Sequence, residues 1–114
     1  MNTHIASKNN SSHFTVNKKQ VSKNKILKPS ILYNKIESTV NSSLTLYENP
    51  SNISFKSIEF DILENAYLND KLIIKNNIKK LSDTEVVLNI TVSKKEKKDI
   101  ICKAIFGYNL QKAS

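Results

Sequence analysis

Arginine is missing from this 114-residue chain: all 18 basic residues are lysines, set against 10 acidic ones for a net charge of +8. Without the planar guanidinium fork the chain lacks the usual means of reading guanine edges or clamping phosphates bidentately. No aromatic cluster marks a strand face that would stack bases, so a small basic nucleic-acid-binding domain is disfavoured. Lysine, asparagine and isoleucine are all abundant. The positive excess therefore reads either as compositional bias or as a preference for an anionic partner, such as a phosphorylated cofactor, an acidic carrier protein or nucleic acid. The single cysteine, Cys102, excludes an intramolecular disulfide and suits a reducing compartment. No apolar run approaches the ~18 residues that would span a bilayer, and residues 1–12 lack the apolar centre of a secretory leader. A cytoplasmic location with no membrane partner is expected.

Glycine occurs once, at Gly107, so no Gly-rich phosphate loop can be built, and no Ser-His-Asp arrangement or helix-turn-helix is present. His4 and His13 have no Cys, Asp or Glu nearby at metal-ligand spacing. No metal and no cofactor are implied. The length suits one domain with a modest core. Residues 1–12 are polar, Asn9-Asn10-Ser11-Ser12 among them, and read as a disordered tail before a single domain over 13–114.

Within that domain, His13 to Val16 suits a short strand and Asn17 to Lys25 a loop. A helix opens at Pro29, where a missing N–H goes unused, and Ser30 adds a hydroxyl in the same turn. Ile31, Leu32, Ile36, Val40 and Leu44 recur at helical spacing, and Asn49-Pro50-Ser51-Asn52 stops the helix after about Tyr47. Everything after it reads as strand. Ile53 and Phe55 alternate, then the phase shifts to Ile58, Phe60 and Ile62, which predicts a bulge near Lys56-Ser57. Leu72, Ile74 and Ile78 mark a second strand; Val86, Leu88, Ile90 and Val92 a third; Ile100, Cys102, Ala104, Phe106 and Tyr108 a fourth. The short connections at Leu81-Ser82-Asp83 and Lys94 to Lys98 suit antiparallel hairpins, because parallel strands need much longer crossovers. The expected architecture is α+β, one long helix on an antiparallel sheet of about five strands. Val87, Ile101 and Ile105 then point away from the main apolar face, which predicts self-association.

Four features invite a functional reading. Lys94 to Lys98 reads as a solvated hairpin tip that discourages edge aggregation. Cys102 shares a face with Ile100, Ala104 and Phe106 and reads as a buried packing residue rather than a nucleophile. Gly107, inside a strand, marks a bulge or a close approach of other atoms, while Asn69-Asp70 takes the turn positions a glycine would otherwise fill. Glu37 lies one residue past Ile36 at the edge of the helical stripe, either a solvated flank or a carboxylate aimed into a cleft. It is the one plausible catalytic group.

The order of elements resembles the hotdog fold of acyl-CoA thioesterases and acyl-carrier-protein dehydratases, over about residues 13–110. Two stretches carry the resemblance. Phe60 to Leu72 is similar to the family's "F-L-x-P-A-x-x-G-D-x-L" segment, with Asn65 for the proline and Asn69 for the glycine, and Ile101 to Phe106 is similar to its closing strand. In one thioesterase branch the helix opens with "H-G-G" and carries a catalytic Asp or Glu further on. Lys28-Pro29-Ser30 occupies the first positions here and Glu37 the acidic one. The resemblance implies Glu37 as nucleophile or general base, Ser30 and Ile31 N–H groups as oxyanion donors, and Lys28 and Tyr33 as substrate contacts. A helix start suits developing negative charge, since its donors are free and its dipole is positive there. A second branch places its acid before the helix, where Lys23 to Ser30 holds none, and the dehydratase branch pairs a histidine with the helical acid, which His13-Phe14 does not match. The resemblance implies an acyl-thioester hydrolase acting on acyl-CoA or acyl-carrier-protein thioesters as a homodimer or tetramer, or a non-catalytic protein that binds the same ligands.

Overall fold

The computed structural model describes residues 9–44 and 52–111. Strand β1 spans Asn9–Thr15, helix α1 Pro29–Leu44, β2 Ile53–Ile62, β3 Lys71–Leu81, β4 Glu85–Lys94 and β5 Ile100–Leu110. The strands form one antiparallel sheet in the order β1-β3-β4-β5-β2. This is the expected α+β arrangement, with α1 laid across one face. No helix among the described residues is long and apolar enough to cross a membrane.

Strand alternation decides which face the helix covers. Val86, Leu88, Ile90 and Val92 of β4 pair with Tyr108, Phe106, Ala104 and Cys102 of β5, and all eight are buried. Leu72 and Ile74 of β3 continue the layer, and α1 closes it with Leu32, Ile36, Val40 and Leu44. Burying each large aliphatic side chain stabilises the fold by ~2 kcal/mol. The other sheet face carries Lys75, Asn77, Asn89, Thr91 and Lys103, the polar partner of the same alternation.

Helix and sheet advance in step. Lys35 Nζ lies 5.3 Å from the centre of the Phe14 ring. One turn on, Thr39 Oγ1 is 3.3 Å from Ser12 Oγ. A further turn on, Ser43 Oγ accepts a hydrogen bond from Asn76 Nδ2 at 2.5 Å, and Asn76 faces Asn10 across the β1–β3 ladder. Four helical residues rise ~6 Å and two strand residues ~6.6 Å, so each helical turn moves one same-face position along the sheet.

The chain leading into α1 is pinned before the helix begins. Asn17 and Gln20 cap a short 3-10 turn at Lys18–Gln20, each side chain accepting from the other end of the turn. The Leu27 N–H donates to Ala66 O at 2.8 Å, and Ile26 pairs with Tyr67, tying this segment to the β2–β3 connection. With glycine so scarce, three turns place other residues in the left-handed region: Lys25 at φ 64°, Asn69 at 74° and Lys98 at 60°. Asn69 takes the role expected of it.

Register shifts account for two further points. The bulge expected near Lys56-Ser57 lies between Phe55 and Ser57. It sits against Gly107, where a Cβ would come within 2.7 Å of Ser57 Oγ. Close approach of that hydroxyl, not a positive φ, is what calls for glycine. The second shift corrects the face assignment of Ile100 and Ile101. Val92 pairs with Cys102 but Ser93 with Ile100, which leaves Ile101 as an extra, bulged residue. Ile101 is wholly buried beside Cys102, whereas Ile100 is 41% exposed. Of the three residues expected on the outer face, only Val87 and Ile105 remain there, half-buried.

The first strand also begins earlier than expected, at Asn9 rather than His13, so residues 9–12 pair with β3. Asparagine and serine are poor strand formers, and the waiting edge of β3 overrides that preference. Residues 1–8 of the tail expected over 1–12, the helix end at Tyr47 and the stop at Asn49-Pro50 lie outside the described residues.

Candidate functional site

Tyr33 and Glu37 lie one turn apart on the side of α1 that overlooks β5 and β2. The Tyr33 ring meets Phe60 edge-on at 5.5 Å and lies 6.3 Å from Phe106. Phe106 is 6.3 Å from Tyr108 and nearly parallel to it, and Tyr108 meets Phe55 edge-on at 5.9 Å. A row of aromatic rings thus floors this side of the helix. Since Tyr33 sits over Phe106, the step between helix and sheet sets Glu37 over Tyr108, two residues further along β5.

The electrostatics agree with that placement. Burial raises the Tyr33 hydroxyl pKa first, followed by the negative charge of Glu37 and a hydrogen bond to it. The Tyr108 hydroxyl is pushed up to about 12, again by burial first, then by the charges of Glu37 and Tyr33. Both phenols therefore stay protonated across the physiological range. Tyr108 is 7% exposed and its hydroxyl hydrogen-bonds to no other described residue. Glu37 is half-buried and faces the two tyrosines, neither fully solvated nor enclosed.

The site lies next to an open edge. β2 ends the sheet order, so one side of its backbone is unpaired among the described residues. Phe55 is 58% exposed, Ile62 40% and Leu63, just past the strand, 54%. An edge strand with this much exposed apolar surface is a template for pairing with another chain.

The other residues singled out from the sequence fall elsewhere. Lys28 and Ser30 are exposed at the start of α1 and Ile31 is half-buried. The Ile31 N–H already donates to Lys28 O at 3.0 Å, as does that of Leu32 at 3.1 Å. Pro29 has no N–H, so Ser30 carries the remaining first-turn donor, without a backbone partner among the described residues. Seven residues separate it from Glu37, ~10 Å along the axis. Within one chain, the helix-start donors and the Glu37 carboxylate are not brought together on one small group.

Cys102 is fully buried, and its thiol pKa is pushed up to about 11 by burial, then by Asp61. That is the environment of a packing residue and not of a nucleophile. His13 is exposed, and no cluster of metal-ligating side chains occurs among the described residues; His4 lies outside them. In the lysine hairpin, Lys94 pairs with Asp70 at 3.6 Å and lies 5.5 Å from the Tyr67 ring centre, while Lys95, Lys97 and Lys98 are exposed. A shallow cavity of about 280 Å³, lined in part by His13, Lys71 and Lys95, opens at the β1 edge, away from Glu37. Tyr108 escaped the sequence reading as a site residue because it sits in the apolar stripe of β5. Only the step between helix and sheet shows that it meets Glu37.

No protein-family model and no curated protein matches the sequence. Solved structures do match in shape. A hypothetical thioesterase protein from Streptococcus pneumoniae TIGR4, solved with coenzyme A, aligns over 94% of this chain and 83% of its own at 14% identity and a TM-score of 0.80. Mouse thioesterase superfamily member 2 aligns over 91% and 76% at 13% identity and a TM-score of 0.80. A 1,4-dihydroxy-2-naphthoyl-CoA thioesterase from Synechocystis aligns over 92% and 88% at 12% identity and a TM-score of 0.74. At these identities the likeness establishes the fold alone, the hotdog fold expected from the sequence.

Proposed function

We propose that this hotdog domain is an acyl-thioester hydrolase acting on acyl-CoA or acyl-carrier-protein thioesters, with Glu37 as its general base. The observation that carries the reading is the half-buried Glu37, one turn past Tyr33 and over Tyr108, on the side of α1 that faces β5 and β2. Coenzyme A in the pneumococcal structure supports the ligand class. In the proposed reaction a water oxygen attacks the thioester carbonyl carbon while Glu37 takes its proton. The tetrahedral intermediate collapses, the C–S bond breaks, and the departing thiolate recovers that proton from Glu37, giving a carboxylic acid and a free thiol. Tyr33, one helical turn before Glu37, flanks the carboxylate. Self-association through β2 would cover Phe55, Ile62 and Leu63.

A second reading has its own support. Pro29 and the engaged Ile31 N–H leave the start of α1 poor in donors, which favours a protein that holds an acyl thioester without cleaving it. One experiment separates the two. Purified protein is incubated with acyl-CoA and acyl-carrier thioesters of graded chain length, and thiol release and melting temperature are followed. Hydrolysis predicts release above background that is lost in Glu37→Gln. Binding alone predicts a raised melting temperature without release. Neither effect with any thioester would leave only the fold standing.

A further inference from the structure

The site has a base but a poorly furnished oxyanion pocket. Stabilising the charge that develops on a thioester oxygen requires a donor already aimed at it. The helix start holds one free N–H, ~10 Å along the axis from Glu37. Closer at hand is an unused donor. Tyr108 lies beneath Glu37 in the aromatic row, between Phe106 and Phe55, and its hydroxyl bonds to no other described residue.

We infer that the Tyr108 hydroxyl donates a hydrogen bond to the carbonyl oxygen of the bound thioester, supplying beside Glu37 the contact that the start of α1 lacks. The assignment rests on the acyl-thioester reading above. Its geometry is that of the fold itself. Phe106 and Phe55 on either side fix the Tyr108 ring, and burial of that ring limits its hydroxyl to one side of the sheet. Tyr33, by contrast, lies one helical turn before Glu37, close enough to feel its charge, and is a positioning residue. A phenol that stays neutral at all working pH values can donate throughout the reaction. A thioester seated between α1 and β5 would then have its carbonyl oxygen on Tyr108 and its carbonyl carbon open to a water held by Glu37.

The test compares two ligands that differ in the carbonyl alone: S-(2-oxooctyl)-CoA, which carries it one methylene from the sulfur, and S-octyl-CoA, which lacks it. Neither can be hydrolysed, so calorimetric titration of the full chain measures binding whether or not the protein is an enzyme. Wild type should prefer the oxo ligand by ~10-fold, the scale of one well-placed hydrogen bond. Tyr108→Phe should bind both ligands alike, whereas Tyr33→Phe should retain the preference. Thermal unfolding of each variant checks that the rings still pack, and the wild-type ratio stands without any variant. Equal affinities in wild type, or a preference that survives Tyr108→Phe, would overturn the role of Tyr108 and leave the acyl-thioester reading untouched. Failure of both ligands to bind would overturn that reading and this inference together.

Discussion

Raising the pH from 8 to 11 should unfold this protein partly through one thiol. Cys102 is fully buried, and its pKa stands at about 11 where 9.0 is ordinary. Between those values the unfolded chain has lost the Cys102 proton and the folded chain has kept it. Folding must then take up a proton, so stability falls as pH rises through this window and is unaffected by Cys102 below it. A shift of this size corresponds to about 3 kcal/mol, near 1.4 kcal/mol per pH unit. Lysine titration overlaps the window, so the useful measurement is a difference. Urea unfolding of wild type and Cys102→Ala, followed by circular dichroism from pH 7 to 11, removes the terms the two share. The variant starts lower because it loses packing, yet its curve should fall less steeply above pH 9, and the gap should close by ~2–3 kcal/mol at pH 11. Thiol labelling gives an independent check. At pH 8 the native thiolate fraction is ~1 in 1000 against ~1 in 10 for an ordinary thiol, so labelling should be at least ~100-fold slower than in the unfolded chain. Parallel stability curves, or native labelling at the unfolded rate, would refute the placement of Cys102 in the core.

Two other perturbations probe the packing. Ser43→Ala should destabilise the protein by ~1–3 kcal/mol, because it deprives the buried Asn76 Nδ2 of its acceptor while Asn76 Oδ1 is already unpaired. Adding Asn76→Leu should recover most of that loss, and a double variant whose loss exceeds that of Ser43→Ala would argue against it; denaturant midpoints decide. Gly107→Ala should destabilise by ~1 kcal/mol as Ser57 is forced to turn, and the same change should be neutral or stabilising in a Ser57→Ala background, where the obstructing hydroxyl is gone.

Much of the fold is legible in one dimension because alternation is a local signal. Val86 to Val92 alternate without interruption and land on one buried face, and the phase shift after Phe55 marks a real bulge. The same signal fails at Ile100-Ile101, where two adjacent isoleucines leave no phase to read and the bulge is set by pairing with β4. It fails at Asn9–Ser12 as well, where the strand exists only because β3 offers an edge. Glu37 could be singled out from its place on the helical stripe. Its neighbours could not. That Glu37 overlies Tyr108 follows from a helical turn matching two strand residues, a relation between elements that no stretch of sequence contains. The oxyanion donor expected at Ile31 fares worse for a similar reason, since whether a helix-start N–H is free depends on the turn preceding it, where Lys28 O accepts from Ile31.

Steady-state thioester cleavage by wild type beside Glu37→Gln decides whether Glu37 makes this hotdog domain a thioesterase. Wild type should turn over, and kcat should fall by ~10²-fold or more in the variant, with melting temperature and affinity for a non-hydrolysable acyl-CoA nearly unchanged, because shape is kept while the base is lost. Equal turnover by the two proteins would contradict that role for Glu37.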